Sequence, residues 1–183
     1  MKKVYVFLAD GFEDIEALAP IDILRRGGVD VTTVSIMQRL AVNSAHGVEM
    51  KADALFEDTD LSDADALLIP GGMPGAKHID EHEGVRKALT AQAAKGGLLG
   101  AICAGPMVLG HLGLLQGCRA TCYPGFEGEL EGAHYTAAPV TVDGNIITGK
   151  GPGASMAYGY ALIEILREKR IADTLKKGMM YTD

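Results

Sequence analysis

Few cysteines, no excess of positive charge and no long hydrophobic run mark this chain. The three cysteines, at positions 103, 118 and 122, form an odd and sparse set. That excludes a disulfide framework and predicts a reducing, cytoplasmic setting. Seventeen basic residues against 24 acidic ones leave a formal net charge of −7. An acidic surface argues against binding a phosphate backbone, so no nucleic-acid partner is expected. The longest apolar stretches have the length of a strand, too short for a membrane span, and no membrane partner is expected. Met1-Lys2-Lys3-Val4 runs directly into a predicted strand and has no signal-peptide pattern. No linker, low-complexity tract or internal repeat interrupts the 183 residues. One domain over residues 1–183 is therefore expected, with 48% apolar residues to build its core.

Strands and helices alternate. The pattern predicts a buried strand over 4–9, a helix over 13–26 ended by Gly27-Gly28, and a strand over 29–36. A strand over 66–69, a helix over 81–95 and a strand ending at Ile102 follow. Asp143-Gly144 between two β-rich runs predicts a hairpin. A glycine-rich break over 149–153 opens a helix over 154–168, and 172–177 extends the helical tail. The predicted fold is a three-layer α/β/α sandwich around a mostly parallel sheet. In such sheets ligands sit beyond the carboxyl ends of the strands. Asp10-Gly11, Pro70-Gly71-Gly72, Cys103 and 149–153 all fall at that edge.

The run Leu98-Leu99-Gly100-Ala101-Ile102-Cys103-Ala104-Gly105-Pro106 carries the clearest chemical signal. It places Cys103 at a strand-to-helix turn, where unpaired N–H groups and the helix dipole favour a thiolate. Ala104 and Gly105 leave room for a small molecule, as in a nucleophile elbow. The other reading is a cysteine that fills core space. Glu16 shares its helix side with Ala19 and Ile23, and a carboxylate on an apolar face is desolvated and raised in pKa. Its alternative is an exposed helix glutamate paired with Arg25 or Arg26. Pro20 removes the N–H that the Glu16 carbonyl would otherwise receive. The Pro70-Gly71-Gly72 loop reads either as an oxyanion hole or as a tight strand exit.

Other candidates read as structural. The segment around Lys150 matches no phosphate-loop pattern, because the lysine precedes the second glycine. Cys118 and Cys122, spaced C-x3-C without a second pair, read as strand cysteines. His78 and His82 stand at i, i+4 on a highly polar segment and read as solvated surface. His46, His111 and His134 are isolated, and no metal site is expected.

Five segments in this order resemble the ThiJ/PfpI superfamily: 11–16, 20–26, 68–72, 101–106 and 151–155. The likeness runs almost end to end and is nearest the branch of bacterial YajL and the human parkinsonism-associated protein deglycase. It implies a flavodoxin-like sandwich, a homodimer and chemistry without a cofactor. Cys103 aligns with the family's oxidisable nucleophile, Glu16 with the carboxylic acid beside it, and the Gly72 and Ala104 amides with its oxyanion donors. His46 and Tyr123 fall near the pocket mouth. Tyr123 replaces a pocket histidine, and His46 an arginine, of the human protein. Ala104 stands where the protease-like branch has a histidine, which argues against peptidase activity. The resemblance implies a glyoxalase- or deglycase-like enzyme acting on reactive dicarbonyls or early glycation adducts. Its alternative is a redox-sensing stress protein or chaperone whose Cys103 oxidises to sulfinic acid with negligible turnover.

Overall fold

The computed structural model describes residues 1–182, so the domain expected over 1–183 reaches one residue beyond them. In chain order the first elements are β1 (Lys3–Leu8), α1 (Asp14–Arg26), β2 (Asp30–Ser35), β3 (Ala41–Asn43), β4 (Glu49–Lys51) and β5 (Ala54–Leu55). Next come β6 (Ala66–Ile69), α2 (Gly75–Glu81), α3 (Glu83–Ala94), β7 (Leu98–Ile102) and α4 (Pro106–His111). The chain continues with β8 (Arg119–Ala120), β9 (His134–Tyr135), β10 (Val140–Asp143), β11 (Ile146–Gly149), α5 (Ser155–Leu166) and α6 (Lys169–Gly178).

Seven strands form one sheet in the order β10-β11-β7-β6-β1-β2-β5. Only the β10–β11 hairpin is antiparallel; the other neighbours run parallel. Alternation along β1 explains the two cores. Val4, Val6 and Leu8 point to one face, against Ile21 and Leu24 of α1 and Leu162 of α5. Tyr5 and Phe7 point to the other, against Ile79 of α2, Leu89 of α3 and Leu109 of α4. The sheet is covered on both faces, which is why its central strands are continuous apolar runs. This is the three-layer α/β/α sandwich that the alternation predicted, in the flavodoxin-like form that the resemblance implied.

The helix predicted over 81–95 forms as α3, which starts at Glu83 because His82 is extended (φ −82°, ψ 103°) and its ring accepts the Val85 N–H as the cap. Two other local expectations need correction. His82 also packs edge-on against Phe56, 4.8 Å between centroids, while His78 Nδ1 lies 3.1 Å from the Asp10 carbonyl oxygen. Both histidines are half-buried structural residues rather than solvated ones. Cys118 and Cys122 flank β8 rather than sit within a strand. The β3–β4 hairpin and β5 fall in a stretch to which the sequence pattern assigned no element. Among the described residues, no helix is long and apolar enough to cross a membrane.

Candidate functional site

β1, β6 and β7 all end at one edge of the sheet, and the loops that leave them interlock. Glu13 N–H donates to the Gly71 carbonyl at 2.9 Å, and Cys103 N–H to the Gly149 carbonyl at 2.9 Å. Gly72 adopts φ +90°, and a Cβ there would strike the backbone of Glu13 and Phe12. The glycine loop therefore lies directly on the start of α1. This brings Glu16 and Cys103, 87 positions apart in sequence, into one buried site.

Cys103 follows β7 in the left-handed region (φ +64°), a conformation rare for a residue with a side chain and held here by fixed surroundings. Ile102 accepts the Gly105 N–H at 2.8 Å, closing the turn into α4. A Cβ at Gly105 would crowd the carbonyls of Ile69 and Ile102, so only glycine permits this tight exit. The cysteine is 9% exposed: covered, yet open to a small reagent.

Glu16 is 2% exposed, which excludes the solvent-facing pair with Arg25 or Arg26. Those arginines instead bind Asp53 and Asp22. Glu13 caps α1 by accepting the Glu16 N–H at 2.8 Å. The polar groups beside the Glu16 carboxylate are Cys103 Sγ and the Gly71 amide, but neither oxygen meets a donor in good hydrogen-bonding geometry. A Cβ at Gly71 would collide with both Glu16 Oε2 and Cys103 Cβ. Gly71 is thus the residue whose missing side chain lets acid and thiol meet. Its only sequence signal was the doubled glycine, from which Gly72 alone was singled out.

Burial pushes Glu16 up to about 7, with a further upward push from the Glu13 charge. The Cys103 thiol is also pushed up, first by burial and then by the Glu16 carboxylate, while the Ala104 and Gly72 N–H groups pull it down. The thiolate expected from the helix N-terminus alone is therefore outweighed. The two amides do face the sulfur, but desolvation and a neighbouring acid dominate them. The pair resists losing both protons, because ionisation of either group opposes ionisation of the other.

Tyr123 and His46 part company. Tyr123 N–H donates to the Cys103 carbonyl at 3.0 Å, and its half-exposed ring forms one wall of a cleft of about 570 Å³. Pro124, Lys150, Gly151, Ala157 and Tyr181 form other walls; Cys103 is not among the lining residues. Lys150 is tied down, its Nζ donating to the Ala137 carbonyl at 3.2 Å. His46 lies outside this cleft and mostly in solvent, its Nδ1 2.9 Å from Asp14 Oδ2. The hydrogen bond to Asp14 raises the His46 pKa. Glu13, Asp14 and His46 bring three potential ligand atoms within 4.8 Å of one another. Those atoms already serve the α1 cap and the Asp14–His46 contact.

The sequence matches the DJ-1/PfpI family over residues 2–165. An Arabidopsis thaliana protein, DJ-1 homolog B, is 40% identical over 173 residues, 93% of this chain. The chain spans only 40% of that relative's length. A Pyrococcus abyssi protein named as a deglycase is 30% identical over 167 residues, covering 90% of this chain and 99% of its own. The solved structure of oxidized Toxoplasma gondii DJ-1 superposes with a TM-score of 0.96 at 35% identity, covering 100% of both chains. Names within the family span deglycase and cysteine protease. Match length, identity and fold agree: this chain belongs to the DJ-1/PfpI family.

Proposed function

We propose that the protein is a cofactor-independent cysteine enzyme acting on reactive dicarbonyls, such as methylglyoxal, or on their early adducts with proteins. The observation that carries this reading is Cys103, held at φ +64° against a buried Glu16. A carboxyl group near 7 is suited to take a proton and return it at neutral pH. Glu16 would accept the thiol proton as sulfur attacks the aldehyde carbon, giving a hemithioacetal. The Gly72 and Ala104 amides, which face the sulfur, would hold the developing oxyanion. Glu16 would then move the proton from the former aldehyde carbon to its neighbour, converting hemithioacetal to thioester. Water hydrolyses the thioester, so methylglyoxal plus water leaves as lactic acid and the thiol is restored. Tyr123 contributes a cleft wall but no imidazole, and Ala104 supplies no base for peptide cleavage. Cys103→Ala and Glu16→Gln should both abolish methylglyoxal consumption. Wild-type rates in either variant would refute the mechanism.

A redox-sensing role is the second reading, favoured by the oxidized state named for the Toxoplasma structure. Peroxide would oxidise Cys103 to the sulfenic and, with a second equivalent, the sulfinic acid, each step releasing water. Selective sulfinic formation at Cys103, with no turnover of dicarbonyls, would favour it. Equal oxidation of Cys118 and Cys122 would oppose it. A chaperone role would survive Cys103 substitution. We further propose a homodimer, supported by Ile15 and Leu18 standing 53% and 42% exposed on α1. The cytoplasmic assignment rests on three unpaired cysteines.

A further inference from the structure

We propose that Tyr158 is a positioning residue for Glu16, acting through one water molecule bound between them in a cavity beneath the site. Glu16 and Tyr158 are both buried, from α1 and α5 respectively, and both line this cavity. It leaves about 10 Å³ for the centre of a water molecule, at the lower limit for one water. Both Glu16 carboxylate oxygens and the Tyr158 hydroxyl are buried polar atoms with no protein partner. Unpaired polar atoms on two residues that wall the same cavity are costly unless something pairs them. The hydroxyl reaches inward because β7 has Gly100 at that point; a Cβ there would collide with it. Leu68, which would meet that same Cβ, is also a cavity wall.

Pro20 lines the cavity too. Its ring nitrogen cannot donate to the Glu16 carbonyl, which leaves that carbonyl without its usual helical partner. A water here accepts from the Tyr158 hydroxyl and donates to the Glu16 carboxylate. The remaining walls are aliphatic or proline, so no other side chain competes for it.

The titratable groups facing Glu16 are few. Cys103 approaches from the β7–α4 turn, Glu13 from the start of α1 itself, and Tyr158 from α5; the β6–α2 loop offers only the Gly71 amide. Hydrogen-bond donation through the water favours the ionised carboxylate. It therefore leaves the proton of the acid–thiol pair on sulfur in the resting site. Losing it would move the proton to Glu16 and enrich the thiolate.

The test is Tyr158→Phe, which removes only the hydroxyl. In a Cys103→Ser background, infrared titration of the protonated carboxyl band, assigned by its loss in Glu16→Gln, should show the Glu16 midpoint rising by about one pH unit. With Cys103 present, its alkylation at pH 7 should quicken about fivefold. An unchanged midpoint would overturn the positioning role, whether or not a water is bound. An atomic-resolution crystal structure of the unaltered protein tests the water without any substitution. Density within hydrogen-bonding distance of both side chains supports it, and a dry cavity overturns it. These readouts follow proton affinity and bound water rather than turnover, so they stand apart from the dicarbonyl mechanism.

Discussion

Replacing Glu16 by Gln should make Cys103 more acidic, yet leave it unable to turn over dicarbonyls. Gln keeps the shape and removes the charge. Gly71 lies against both Glu16 Oε2 and Cys103 Cβ, so carboxylate and sulfur are near neighbours. At about 4–5 Å and an effective dielectric constant of about 20, two like charges repel by about 3–4 kcal/mol, or about 2–3 pK units. Glu16→Gln should thus lower the pH midpoint of Cys103 alkylation by about 2 units or more. A less basic thiolate is a weaker nucleophile, which offsets part of the gain. The net expectation is alkylation about 10–30-fold faster at pH 7.5. Peptide-resolved mass spectrometry with iodoacetamide over a pH series measures this at Cys103 alone. Cys122, whose buried thiol is pushed up to about 11, should stay slow and acts as an internal reference. An unchanged or raised midpoint would refute the reasoning. It would mean that Glu16 carries its proton while Cys103 ionises, donating to the thiolate rather than repelling it.

The same carboxylate should leave a mark on stability. Glu16 is raised from 4.5 to about 7 on folding, so between those values the folded state binds more protons than the unfolded one. Its contribution is fully present below pH 4.5 and is lost as pH rises through 7, by about 3 kcal/mol, and urea unfolding of Glu16→Gln should show that slope flattened. Gly71→Ala should retain the far-ultraviolet circular dichroism of the fold while losing about 1–3 kcal/mol to overpacking. Its Cβ would drive Glu16 and Cys103 apart, so Cys103 alkylation should lose its dependence on Glu16; a Gly71→Ala protein with unaltered profile would contradict the close approach. Leu18→Glu on the exposed side of α1 should yield a monomer in sedimentation velocity at micromolar concentration, and a wild-type protein already monomeric would remove the dimer proposal.

Much of the fold was legible because its signals are local. The apolar runs of β1, β6 and β7, the Gly27-Gly28 stop after α1 and the Asp143-Gly144 hairpin each declare themselves within a few residues. His82 was misread because its cap on α3 depends on a ring rotamer and on Phe56, 26 positions earlier. The two-stranded β3–β4 hairpin has three-residue strands and buries only Val42 fully, so burial imposed little pattern on it.

The chemistry divides along the same line. The sequence by itself determined that Cys103 ends a buried strand among small residues, and that an acid, a doubled glycine and a helix start lie at the same sheet edge. Whether Glu16 faced solvent or core was undecided, since α1 is apolar on several sides and α5 and the Gly71 loop choose which side is covered. Only the tertiary structure made Glu16 a buried acid near 7 and turned the expected Cys103 thiolate into a thiol held up by burial and by its acidic neighbour. The reason is physical: a helix end and an adjacent amide act within a few residues, whereas desolvation and charge repulsion depend on groups that folding brings together from distant parts of the chain.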